Sequence, residues 1–470
     1  MIPHGKHILI LGGGVIGVAC AHYLHQAGYQ VTVIDQHTIA GACSHGNCGY
    51  VCPSHVLPLT EPAAIGIALR SLFNPNAPFY VKPTLDPETL KWFWQFAKRC
   101  RHKSMIASGR PLKAILDASM AAYHQLVKEE GLKCEWRDSG LLYVLRSQRA
   151  MADFAATDQL LTREFNVSAR RIEGPELCSL DPSLKPGLAG AFLYETDTML
   201  RPERLCREWR ERLMCRGVRF VESCEVLSAE KEADGIECVI TSKGPMTADG
   251  YVLATGARSG QLGHLFGCYL PIQPGKGYSV TMPRPAICPS YPMLFPEHRV
   301  GVTPFQEGYR LGSMMEFVGF DEQIPSSRVE QLKRSAEPYL KQPHTDGQSE
   351  TWYGWRPMTW DSLPAIGPAS GLRNAYVATG HNMLGLSMAP ATGKMIAAMI
   401  AGGEKYIEEI CIVADSEKPI APCGGCRQKL VEFSTPETVV TLAGLEGGCA
   451  QCTIGELLPD SFGPDHLLPS

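Results

Sequence analysis

Gly12-Gly13-Gly14-Val15-Ile16-Gly17 places three glycines in the spacing G-x-G-x-x-G, and one carboxylate, Asp35, closes the next apolar run. Such a turn binds phosphate without cationic side chains. Gly12 permits the tight turn, Gly14 lets a pyrophosphate approach backbone N–H groups at a helix N-terminus, and Gly17 lets that helix pack closely on its strand. An acid in the place of Asp35 accepts the hydroxyl protons of a ribose, and it disfavours a 2'-phosphate, which argues against NADP. Without its neighbours this would read as any glycine-rich turn.

The flanking residues supply the elements such a turn needs. His7 to Leu11 (HILIL) is a short apolar run suited to a buried parallel strand. A helix with apolar positions at Val18, Ala21, Tyr23 and Leu24 follows and ends near Gly28, and Gln30 to Ile34 (QVTVI) forms the second strand. This unit alone does not separate FAD from NAD. Ala42 to Gly49 (ACSHGNCG) is small, polar and glycine-rich, which suits a loop passing a flat cofactor and equally an ordinary surface loop.

Further segments recur in a telling order. Tyr251 to Ala257 is a strand ending in the small-residue turn at Gly256, and Pro271 to Ser279 contains Lys276 and Tyr278. Then come Arg310 to Glu316, Trp355-Arg356-Pro357-Met358-Thr359 with Asp361 and Pro364, and Gly380-His381-Asn382-Met383-Leu384-Gly385. With the dinucleotide turn, the series resembles the FAD-dependent D-amino acid oxidase superfamily, most closely its D-amino acid dehydrogenase branch, over about residues 6 to 403.

That resemblance implies an α/β fold: a Rossmann-like FAD-binding domain, discontinuous in sequence, with an inserted α+β substrate domain. The FAD-binding part is expected at 1–85, 165–257 and 350–405, and the substrate domain at 86–164 and 258–349. The residue pattern agrees, since Trp92 to Leu126 is helix-rich and amphipathic while Tyr278 to Met315 has short apolar runs broken by Pro and Gly. Pro53 to Pro87 reads as a wandering connection.

The resemblance also implies roles. Gly12, Gly14, Gly17 and Asp35 hold the ADP half of FAD, Ser44, Asn47 and Gly49 lie along the pyrophosphate and flavin, and Val226 offers backbone groups to the adenine. Gly380, His381, Leu384 and Gly385 form the turn before the last helix, whose N–H groups face the flavin pyrimidine. His381 is assigned to the flavin environment and not to acid–base catalysis. Arg356 is expected to bind the substrate carboxylate, with Tyr278 and more weakly Tyr353 as phenol donors and Lys276 tuning the flavin or a carboxylate. The implied reaction is hydride transfer from the α-carbon of a D-amino acid to flavin N5, giving an imino acid that hydrolyses to a 2-oxo acid and ammonia. Electrons then pass to a quinone or another carrier. Glycine, sarcosine or a D-hydroxyproline is the alternative substrate.

Residues 406–470 follow another pattern. Ile410 to Ala414 and Val439 to Leu442 are strand-like, and Pro422-Cys423-Gly424-Gly425-Cys426 places two thiols at a helix start. With Glu456-Leu457-Leu458-Pro459, this is similar to the C-terminal half of small cytidine deaminases, a small α/β fragment. The third zinc ligand and its catalytic Glu have no counterpart, because Cys134-Glu135 and Cys224-Glu225 have the wrong spacing. Three readings of this tail stand: an unoccupied remnant of a gene fusion or an artefact of the gene model, which is preferred, zinc on Cys423 and Cys426 with Cys449 and Cys452 as a four-thiolate ribbon, or a zinc- or nucleoside-binding scaffold.

Composition bounds the partners. The 44 Lys and Arg nearly balance 48 Asp and Glu, so there is no electrostatic footprint for nucleic acid or for an anionic membrane surface. The 18 Cys are scattered, which favours reduced thiols, and no apolar run is long enough to span a bilayer. A small-molecule substrate, an electron acceptor and a cytoplasmic location, with peripheral contact at the inner membrane, are the expectations.

Overall fold

The computed structural model describes residues 5–71, 77–402, 407–414, 421–422, 427, 430, 434–444 and 449–458. The chain divides into two compact units, 2–397 and 398–470.

In the larger unit, the apolar run His7–Leu11 becomes the inside strand of a six-stranded sheet. It pairs in parallel with Gln30–Ile34 on one side and Gly250–Leu253 on the other, and Ala375–Thr379 extends the parallel set. Because these strands are parallel, residues 12, 35, 256 and 380 all emerge at one edge, the C-terminal ends of the strands. That edge is where open α/β sheets place their ligands.

The second sheet is nine-stranded and largely antiparallel. Its long strands Ile272–Met282, Gly308–Phe317 and Glu350–Thr359 lie side by side, and Tyr278, Val280, Tyr309 and Leu311 pack in one buried cluster beneath it. The helices Pro87–Arg99 and His102–Glu130 occupy the stretch read as amphipathic, the first capped by the Asp86 side chain on the Thr89 N–H.

Two boundaries differ from the sequence reading. The strands Arg170–Glu173 and Gly190–Tyr194 lie inside the stretch assigned to the FAD-binding part, yet both pair within the nine-stranded sheet, and so does Glu350–Thr359. Strand periodicity is local, whereas the choice of sheet is fixed by pairing with residues 17 to 87 positions away.

The smaller unit has a three-stranded sheet in which Ile407–Ala414 runs parallel to Ser434–Gly444, and Cys449–Thr453 returns antiparallel. Val440, Leu442, Ile454 and Leu457 form its core, and a capping box of Thr453 and Glu456 starts the helix Ile454–Leu457. Cys423 and Cys426 lie outside the described residues. Among the described residues no cluster of His, Cys, Asp or Glu has the makings of a metal site, and no helix is long and apolar enough to cross a membrane.

Candidate active site

The glycine turn is built as its spacing implies. Gly12 has φ +107°, and a Cβ there would meet the Ala254 carbonyl oxygen at 2.4 Å. A Cβ on Gly17 would lie 1.9 Å from the Gly12 oxygen, so this glycine brings helix Val15–Gln26 against its strand. Gly14 is different. Its Cβ direction meets only Ser44 Oγ, at 3.6 Å, so open space lies where a pyrophosphate would approach.

Two side chains hold this edge. Asp35 accepts the N–H of Gly13 and of His37, each at 2.8 Å, which ties the second strand to the turn. Ser44 Oγ accepts the Val15 N–H at 3.0 Å and keeps its own proton to donate outward. These residues fit a dinucleotide: a helix N-terminus, a hydroxyl and an anchored carboxylate surround a space that protein atoms leave open. Val226 begins the strand Val226–Glu232, just after Cys224, whose N–H donates to the Asp35 carbonyl at 2.8 Å.

Asn47 Oδ1 accepts the Gly49 N–H at 2.7 Å, and Gly49 has φ +80° with its Cβ direction blocked by the Leu200 carbonyl. Gly256 and Gly380 end neighbouring strands, joined by Thr379 Oγ1 donating to the Gly256 carbonyl at 3.1 Å. The Leu384 N–H closes the turn onto the His381 carbonyl before helix Gly385–Ala401 begins. The His381 ring is buried beside Thr392 Oγ1 at 2.9 Å, and burial lowers its pKa to about 3. It is therefore a neutral ring packed in the interior.

The four substrate-side candidates do not come together. Ile272–Met282 and Glu350–Thr359 pair without a register break, with Gly275 opposite Arg356 and Tyr278 opposite Tyr353. Strand side chains alternate between faces, so Arg356 shares a face with Gly275 and Gly277, and Lys276, Tyr278 and Tyr353 point to the other. A Cβ on Gly277 would sit 2.2 Å from the Arg356 guanidinium, which confirms the geometry.

The Arg356 face looks onto the loop at 42–49. A Cβ on Gly354 would lie 3.2 Å from Cys43 Cα, one on Gly312 would lie 2.6 Å from Cys48 Sγ, and Trp352 donates to the Ala42 carbonyl at 3.2 Å. Arg356 Nη1 donates to the Met314 carbonyl at 2.8 Å and touches Met315 Sδ at 3.9 Å. Among the described residues no carboxylate pairs with it, so most of its donors are available. Burial lowers its pKa from the usual value, and Cys43 and Cys48 partly oppose this.

On the opposite face Lys276 and Tyr278 are both engaged, while the Trp355 indole N–H there is buried without a hydrogen-bond partner. Lys276 is wholly buried, donates to Asp321 Oδ2 at 3.0 Å and to the Gln323 carbonyl at 2.5 Å, and lies over the rings of Tyr278 and Tyr353. The Tyr278 hydroxyl donates to Glu316, which is also paired with Arg328, and burial together with Glu316 raises the phenol pKa. Tyr278 and Tyr353, expected as phenol donors to the substrate, thus stand on the face opposite Arg356, and Lys276, expected to tune the flavin or a carboxylate, engages the carboxylate of Asp321.

Sequence reasoning missed Arg310 and Asn382 as site residues. Arg310 is wholly buried and donates to the Asn47 carbonyl at 2.7 Å, the His45 carbonyl at 3.4 Å and Glu203, clamping the cofactor-side loop. Its signal was a lone cation inside an apolar strand. Asn382 has φ +53° and accepts the Thr359 N–H at 2.9 Å, tying the last turn to the Arg356 strand; nothing local announced that partner.

A parallel sheet with a phosphate turn at its edge, joined to an antiparallel sheet that presents one unpaired guanidinium, defines a dinucleotide-dependent oxidoreductase. The chain belongs to the FAD dependent oxidoreductase family, whose model matches residues 7–399. It is 31% identical to a D-amino acid dehydrogenase of Vibrio vulnificus over 84% of this chain and 95% of that protein. A D-amino acid dehydrogenase of Rhizorhabdus wittichii is 30% identical over 85% of this chain and 97% of its own length. The fold is also that of glycine oxidase from Geobacillus kaustophilus, with a TM-score of 0.68 at 20% identity over 86% of this chain and 96% of that one.

Proposed function

We propose that this protein oxidises D-amino acids to 2-oxo acids and ammonia, passing the electrons to a quinone or a similar carrier. The observation that carries the reading is Arg356, a half-buried guanidinium without a carboxylate partner, facing the cofactor-side loop. A planar fork of that kind takes a carboxylate bidentately. Gly277 makes room for the guanidinium itself, and Gly275 makes room for the apolar side chains of Met315 and Met358 beside it. FAD would supply the hydride acceptor for oxidation at the substrate α-carbon, and the chain's own part is to align the substrate. The names of the relatives support the D configuration and the dehydrogenase class.

Purified FAD-loaded protein mixed anaerobically with D-alanine, L-alanine, glycine and sarcosine tests this reading. Loss of flavin absorbance with the D-amino acid, and faster reoxidation by a quinone analogue than by oxygen, is expected. Reduction by glycine or sarcosine in preference to D-amino acids overturns the substrate assignment, and stoichiometric peroxide at a matching rate makes the protein an oxidase.

The tail we read as a deaminase-like remnant without deaminase activity. Its parallel strand pair and returning third strand support the likeness, while the third zinc ligand and general acid are missing from the sequence. Zinc on Cys423 and Cys426 remains the alternative for this unit. Uridine formed from cytidine by zinc-loaded protein, and abolished in Cys423→Ala, overturns the inactive reading.

A further inference from the structure

Residues 197–203 run beside the cofactor-side segment 45–54 as a splint. Asp197 accepts the Ser54 N–H at 3.1 Å and the Ser54 hydroxyl at 2.6 Å, Thr198 and Met199 pair with Val51 and Tyr50, and the Leu200 N–H donates to the Gly49 carbonyl at 2.8 Å. At the far end Glu203 holds Arg310, which donates to the Asn47 carbonyl. Both ends of the splint are carboxyl groups.

Only one end has cations. Glu203 pairs with Arg201 and Arg310. Asp197 is wholly buried, and among the described residues no Lys or Arg forms an ion pair with it; its partners are Ser54 and the Cys52 thiol. Burial raises its pKa to about 7, with Ser54 and Cys52 pulling the other way. The groups that face it bring no compensating charge. Tyr143 and Tyr194 come from the strands Leu141–Leu145 and Gly190–Tyr194, Asp158 stands behind Tyr194 at 3.2 Å, and burial lowers the His55 pKa to about 4, which keeps that ring neutral. The helix Gly385–Ala401 brings the uncharged Ser387. A carboxylate buried without a cation is costly, and it is expected where a change of charge is used.

This carboxyl is tied to both cofactor-side elements. The Cys52 N–H donates to Ser387 Oγ at 3.1 Å, and that hydroxyl donates to the Tyr50 carbonyl at 3.2 Å. Ser387 lies in the first turn of the last helix, directly after the residues 380–385 expected at the flavin. Outward, the Tyr143 hydroxyl joins Ser54 to the partly exposed His55, 2.9 Å from its Nε2. Hydroxyls both donate and accept, so this row can pass a proton between the carboxyl and solvent. Reduction of bound FAD by hydride adds negative charge, which raises the affinity of a nearby carboxylate for a proton. We propose that Asp197 is a positioning residue for the flavin, and that its carboxyl gains a proton from solvent when the flavin is reduced and returns it on reoxidation. The net reaction gains no proton. This inference rests on FAD lying along residues 42–49 and at the last turn, and not on which amino acid is oxidised.

The test titrates FAD bound to the full-length protein with redox dyes, without substrate, on both sides of neutral pH. The midpoint potential is expected to fall with pH more steeply near and above neutrality in wild type than in Asp197→Asn. Ser54→Ala keeps the carboxyl but removes a donor to its charged form, so the steep region should move to higher pH; this variant decides the matter if Asp197→Asn fails to fold. Glu203→Gln loosens the ion-paired end and should weaken FAD retention severalfold at every pH, with the wild-type slope. Parallel slopes in wild type and Asp197→Asn, or a steep region unmoved in Ser54→Ala, overturn the proposal. So does a slope flattened in Glu203→Gln, because any loosening of the splint would then have the same effect. Wild-type protein that binds no FAD removes the cofactor placement and this inference with it, whereas bound FAD with parallel slopes removes the role of Asp197 alone.

Discussion

The two faces of the paired strands Ile272–Met282 and Glu350–Thr359 carry similar chemistry and opposite arrangements. On one, Arg356 has a backbone carbonyl and a thioether for partners and a floor of glycines. On the other, Tyr278 and Arg328 share the carboxylate of Glu316, and Lys276 is taken up by Asp321 and the Gln323 carbonyl. A buried cation needs compensation, and where the protein withholds it, a ligand is expected to provide it. Where the protein supplies it in full, the group holds the sheet together. The presence of Tyr, Lys and Arg on a strand thus says less than which of them is left unpaired.

Arg356→Leu offers the sharpest way to break this contrast. It should keep its flavin and lose about 2 to 5 kcal/mol of transition-state stabilisation toward D-amino acids, the range for removing one partner of a buried charged pair. Stopped-flow flavin reduction measures this; an unchanged reduction rate and substrate affinity would show that another cation binds the carboxylate. Gly14→Val tests the cofactor side instead, since a branched side chain would fill the open space before the helix N-terminus. A folded variant lacking bound FAD is expected, read from the flavin-to-protein absorbance ratio, and normal flavin content would refute the placement.

A smaller effect of another kind is expected from Tyr278→Phe. Removing the hydroxyl leaves Glu316 paired with Arg328 and should cost stability of about 1 to 3 kcal/mol with flavin reduction within about threefold of wild type. Denaturant melts beside reduction kinetics decide it. Loss of reduction without loss of stability would move Tyr278 to the substrate face.

The smallest effect concerns pH. His381 is buried and its pKa is lowered from 6.5 to about 3, so the folded protein keeps it neutral while the unfolded chain takes up a proton below about 6.5. Its contribution is present in full above that pH and declines as the pH falls toward 3. Burial lowers His22 and His55 to about 4 in the same direction, whereas Asp197, raised to about 7 by burial, acts oppositely between 3.8 and 7. In His381→Gln the loss of stability on acidification should be shallower than in wild type, by up to about 1.4 kcal/mol per pH unit below 6.5. Denaturant midpoints from pH 7.5 to 5 give the slopes, and parallel slopes would count against a buried neutral ring.

Much of the cofactor side was legible in the residues, because its determinants are local. HILIL, the three glycines and QVTVI-Asp35 fix a strand, a turn and a helix N-terminus within thirty residues, and the close approaches at Gly12 and Gly17 follow from that geometry. Residues 256 and 380 were likewise marked by a strand running into glycine. The sequence could also place Arg356 in a motif, though not on a face. Only the tertiary structure decided that it stands over Gly277 while Tyr278 and Lys276 turn away, and that Arg310 reaches back to the carbonyl of Asn47. A period of two is visible in one strand, but which phase faces the cofactor depends on register with strands far along the chain. A single residue of slip would exchange the unpaired guanidinium for the engaged side chains of the other face.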